Sequence, residues 1–251
     1  MEAPGVWLGS AAALFLVANL GGQIAKSTWS AGLLPPDARI IEIADLKVGR
    51  STDRGLILWM LHPKRVDRLE TGDGGCSDWV YGDFWYGPAR LSLLDLAHKR
   101  LVNTIEIRGM YEGAQEKEHD FPIPFRVSNG LYYVPQVSGN KVGQPKILNL
   151  RDLTGEGVAG QFALFEYEAC ENYLTTAIGY SRRSDRAVQY GIETLDESGK
   201  PKVVSWVEKV FQEKPNPPGH WDFTWKPGHG FDGTIHEQVS FDPARQVFVR
   251  R

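Results

Sequence analysis

The sequence predicts a mainly β protein, an antiparallel β-sandwich or a small propeller-like β domain, with one short helix near residues 205–213. Three observations predict it. Short runs of β-branched residues and leucine recur between glycine and proline breaks, as in "ARIIEIADL" and "GLILWMLHP". Hairpin turn signals stand between such runs, the strongest being Asn129-Gly130 inside "FRVSNGLYYVPQV". Helix start signals are scarce, and the clearest is a capping box formed by Ser205 and Glu208.

From Ala3 to Ala25 the chain carries no charge, and "VWLGSAAALFLVANLGG" is dense in Ala, Leu, Val and Phe. An apolar run too short to span a bilayer, followed by small residues, is the pattern of a secretory signal or an N-terminal anchor. Residues 1–25 are therefore expected to direct the protein out of the cytoplasm, although "MEAPG" supplies Glu2 where a signal normally has Lys or Arg. Residues 26–37 follow as a linker, because Pro35-Pro36 can join neither a helix nor a central strand. Residues 38–251 are expected to form a single β-rich domain.

Within that domain the runs at 38–46 and 55–63 are buried strands, and 69–88 is a loop rich in Gly, Asp and aromatic residues. "ARLSLLDL" and "RLVNTIEIR", joined by "AHK", form a hairpin. "TTAIGYS", "RAVQYGIET", "HWDFTW", "IHEQVSF" and "QVFVRR" continue as strands. The helix near 205–213 places Val207, Val210 and Phe211 on one face and stops before Pro215, Pro217 and Pro218. A second, weaker helical pattern lies at Leu164–Leu174.

Composition narrows function. Of 251 residues, 42% are hydrophobic and 24% charged, which is ordinary for a globular domain. The net charge is −3, and arginines stand in pairs only at Arg182-Arg183 and Arg250-Arg251. Nucleic acid is not an expected partner, since phosphate neutralisation needs a concentrated basic face. The only cysteines, Cys76 and Cys170, form a disulfide if exported, or remain two buried thiols. The P-loop, G-x-S-x-G and GxGxxG motifs are absent, and no organic cofactor is implied.

"RDLTGEGVAGQFALF" spaces Asp152, Thr154 and Glu156 at alternate positions around Gly155 and Gly157. Hard oxygens at that spacing suit Ca2+, and the alternative is a structural turn between two strands. An EF-hand is excluded, because its twelfth position would be Ala163. Set between "PKILNL" and "QFALFEY", the segment resembles the calcium loops of FG-GAP (integrin-type) propeller repeats over these 15 residues. The resemblance implies a bound Ca2+ held by Asp152, Thr154 and Glu156, and an extracellular setting.

Two further groups are candidates. Trp79, Tyr81, Trp85 and Tyr86, beside Asp78 and Asp83, suit a platform for a glycan or a protein partner; otherwise they fold inward as a small core. His229, Asp232 and His236 could meet around a metal. Asp78, Asp83, Asp222 and Glu237 are the candidate catalytic carboxylates if the protein is a secreted hydrolase or lyase acting on a polysaccharide. The favoured expectation is a non-enzymatic, extracytoplasmic binding or structural domain.

Overall fold

The computed structural model describes residues 29–70, 79–109, 120–123, 147–169, 172–226 and 233–251. In chain order, β1 (Ala38–Val48), β2 (Ser51–Leu61), β3 (Lys64–Glu70), β4 (Trp79–Asp95), β5 (Arg100–Glu106) and β6 (Asp120–Ile123) make one antiparallel sheet around the long β4. Next, β7 (Gln161–Ala169), β8 (Asn172–Ser181) and β9 (Arg186–Gln189) start a second sheet. β10 (Gly191–Leu195) and β11 (Pro201–Val204) open a third. β12 (Val207–Glu208) returns to pair with β8. A single 3-10 turn, Val210–Gln212, precedes β13 (His220–Trp225), β14 (Ile235–Asp242) and β15 (Val247–Arg250), which complete the third sheet.

The pairings are antiparallel except for β10 with β15. Because the sheets stack and none closes on itself, the sandwich alternative describes the architecture. The second sheet is the middle layer, and its residue alternation explains why. Phe162, Leu164, Ile178 and Tyr180 join a core with Leu56, Leu58, Met60, Leu91 and Leu93 of the first sheet. Ala163 and Ala177, one residue out of phase, join Ile192, Trp221, Val239 and Phe248 of the third. Large side chains face one neighbour and small ones the other. The third sheet fills that shallower space with rings: Phe248 stacks edge-on against Tyr190, Phe211 and Trp221, with centroids 4.9–5.7 Å apart.

The first sheet buries both faces. Leu56 through Met60 are consecutively buried, since Ile57 and Trp59 pack on the far side with Trp29, Leu33 and Leu34. Residues 29–34, inside the segment expected as a linker, thus contribute to packing.

Side-chain amides stitch the first two sheets. Asn103 donates to the Ala187 carbonyl and accepts from its amide, both at 2.9 Å. Gln189 does the same for Arg108, at 3.2 and 2.8 Å. At Gly179 (φ +152°) the chain passes so close to Gly160 that a Cβ would sit 2.3 Å from its carbonyl oxygen.

Three local expectations are corrected. Residues 79–88 are strand, because β4 pairs with β3 and β6 across the aromatic stretch. Leu164–Ala169 and Asn172–Leu174 are not helical; they belong to β7 and β8. Within 205–213 a short helix does form as expected, but as the 3-10 turn Val210–Gln212, while Glu208 of the capping box pairs with Leu174 as strand. The Asn129-Gly130 hairpin lies outside the described residues.

Candidate functional site

The 152–157 loop closes on itself. Asp152 Oδ1 accepts from the Gly155 amide and Oδ2 from the Gly157 amide, both at 2.8 Å. Thr154 is buried, and its hydroxyl donates to Asp152 Oδ1 at 3.4 Å. Glu156 Oε1 instead accepts from Gln246 at 3.4 Å. Gly155 (φ +73°) is required, since a Cβ there would meet the Pro218 carbonyl at 2.6 Å. Each Asp152 oxygen accepts one backbone amide, which ties the loop to itself, while the second oxygen of Glu156 is buried without a hydrogen-bond partner. The geometry is that of an Asx-type turn. Asp152→Ala is expected to cost about 1–2 kcal/mol, the scale of a lost capping bond. Chelation is expected to leave the melting temperature unchanged, and a fall on adding EDTA contradicts that account.

The β13–β14 hairpin separates the two C-terminal carboxylates. Asp222 lies opposite Gln238, whereas Glu237 lies opposite Phe223, so they project from opposite faces. On the exposed face Asp222 Oδ1 bonds His236 Nε2 at 2.6 Å and Oδ2 accepts from Gln238 at 2.9 Å. The His236 bond, then Gln238, holds the Asp222 carboxyl below its usual range. Glu237 is buried and takes a hydrogen bond from Arg250 Nη2, while its second oxygen has no partner. His229, Asp232, Asp78, Cys76 and Cys170 lie outside the described residues. Among the described residues no three of His, Cys, Asp and Glu gather as metal ligands.

Of the aromatic group, Trp85 is half-buried against the first core and stacks under Arg39, whose guanidinium carbon is 3.6 Å from the ring centre. Tyr86, also half-buried, follows it on β4. Trp79, Tyr81 and Asp83 are placed on β4 by their backbone.

A charge network joins the first two sheets. Arg54 bonds Asp185 at 2.8 and 3.2 Å and stands 3.6 Å from Asp95, while Tyr180 donates to Asp185 at 3.0 Å. The Arg54 hydrogen bond holds the Asp185 carboxyl below its usual range. Burial, and then the Asp185 bond, push the Tyr180 phenol up to about 12. Burial raises Tyr190 further. A raised phenol favours the neutral form in the fold, so this stability is complete below about pH 10, the unfolded value, and is lost as pH climbs through the folded one. Urea midpoints are expected to fall between pH 10 and 12, and less steeply in Tyr180→Phe. Equal slopes in the two proteins contradict the assignment.

Among the described residues a pocket of about 320 Å³ opens where the second and third sheets part. Alternation builds its floor. Ile192 and Phe248 are register partners in the aromatic core, and two residues further Thr194 and Arg250 occupy the same faces of β10 and β15. Across from Thr194 stands Lys202 of β11. Val204 continues that face two residues beyond Lys202, and Trp206 and Val207 with Leu174 of β8 add apolar surface, with Leu195 and Glu208 also in the lining. The Trp206 indole is fixed by donating to the Arg108 carbonyl at 2.8 Å. None of these positions was a candidate from sequence. The lining combines two cations, one carboxylate, one hydroxyl and apolar surface.

No family model matches the chain, and neither a characterised protein nor a solved structure matches it.

Proposed function

We propose that this chain is an extracytoplasmic, non-enzymatic β domain that binds a small ligand in the pocket between its second and third sheets. The observation that carries the reading is the pocket itself, which pairs two cations with an indole and aliphatic surface and holds a single carboxylate. The uncharged stretch from Ala3 to Ala25 supports export. Asp222 and Glu237 stand on opposite faces of one hairpin, so these two do not form the carboxylate pair that the hydrolase or lyase alternative would use.

Thermal-shift screening with apolar carboxylates, amines and alcohols tests the reading. At least one class is expected to raise the melting temperature, by mass action on the native state. Thr194→Trp, which fills the floor, is expected to abolish the rise. A rise that survives that substitution, or no rise with any class, contradicts the proposal.

A further inference from the structure

Resting on the pocket as the binding site, we infer that its ligand is a small apolar carboxylate, anchored by Arg250 and Lys202 with its hydrocarbon against Trp206, Val207, Val204 and Leu174. Arg250 carries the argument. Its Nη2 donates to buried Glu237, which fixes the guanidinium plane. Its remaining N–H groups have no protein partner among the described residues, and they are not sealed from solvent as the second Glu237 oxygen is. An arginine that lines a pocket, is held by a buried carboxylate and keeps donors open to solvent can receive a planar anion through paired hydrogen bonds. Lys202 lines the same pocket and makes no salt bridge among the described residues, so a second cation is available at the mouth.

The apolar wall sets the rest of the molecule. Five of the lining residues, Leu195 among them, present hydrocarbon or indole surface that a linear chain or ring can cover. The volume, near the lower end of ligand pockets, limits the ligand to a short chain. Glu208 is the one anion lining the pocket, and it discriminates. A carboxylate must stand away from it, whereas an amine would seek it.

That opposition fixes the sign of each test. Octanoate, octylamine and octanol are titrated into the full chain and binding is followed by calorimetry and Trp fluorescence. Octanoate is expected to bind best. Lys202→Met is expected to weaken it roughly threefold, and Glu208→Gln to tighten it roughly threefold, the scale of partly exposed charge interactions. The double variant Glu237→Leu/Arg250→Met, which leaves no buried charge behind, is expected to weaken octanoate at least about tenfold while octanol is unchanged. Octylamine binding best, with the signs at Lys202 and Glu208 reversed, overturns the carboxylate inference and leaves the pocket standing. Absence of binding by all three probes overturns both.

Discussion

Truncating Phe248 to alanine is expected to lower the melting temperature by roughly 6–20 °C, from a cost of about 3–5 kcal/mol. Phe248 is wholly buried and meets Tyr190, Phe211, Trp221 and Phe241 ring to ring, with centroids 4.9–5.7 Å apart. Its neighbours come from the third sheet, the 3-10 turn and the strand junction at Tyr190, so no single element can move in to fill the void. Opposite it the middle sheet offers Ala163 and Ala177, which have no side chain to extend. Phe248→Leu, keeping much of the volume, is expected to cost less than half as much. Equal losses in the two variants would contradict the cavity account, since the volume that leucine keeps would then carry no weight. Because Phe248 and Ile192 end the core just before Thr194 and Arg250, the alanine variant is also expected to loosen the pocket floor.

The second large effect is electrostatic. Arg250→Met is expected to destabilise the chain by about 3–5 kcal/mol, because it strands the buried Glu237 carboxylate without a counter-charge. Glu237 already has one oxygen with no hydrogen-bond partner, so the site has no spare donor to take over. Adding Glu237→Leu is expected to return most of the lost stability, since two apolar groups replace an ion pair at little net cost. A double-mutant cycle by urea denaturation checks both statements. If the single variant is as stable as the parent, the pair is not buried as described, and the claim that Glu237 orients Arg250 fails with it.

How much of this was legible beforehand follows from particular residues. The strands were legible because their alternation is local: "HWDFTW" and "IHEQVSF" announce β13 and β14 without reference to anything else. The hairpin from 89 to 108 was legible for the same reason, as β4 and β5 joined at 96–99. The aromatic stretch was read as a loop because Gly82, Gly87 and Pro88 interrupt it, yet β3 and β6 flank it and satisfy its backbone. The capping box misled because Ser205 and Glu208 match a helix start in sequence, while the pairing of Val207 with Thr175 wins in space. At Asp152 the spacing was read correctly as a tight acidic turn. What that spacing could not say was whether the carboxylate faces a cation or its own backbone amides.

The pocket was beyond reach of any single stretch. Its lining comes from Leu174, Thr194, Lys202, Trp206 and Arg250, and only the parallel β10–β15 pairing and the short β12–β8 pairing bring them together. A faint signal existed in "QVFVRR", where Phe248 and Arg250 share a face, so the strand passes from core to polar surface in one step. Glu237 was singled out as a candidate acid. The structure places it buried, against the Arg250 guanidinium.

Amide chemical-shift mapping during an octanoate titration tests the central claim most directly. The expected result is saturable shifts concentrated at Thr194, Lys202, Val207, Arg250 and the Trp206 indole N–H, with the β1–β2 hairpin silent. Shifts centred on the exposed Asp222–His236 face, or none at saturating octanoate, would contradict it.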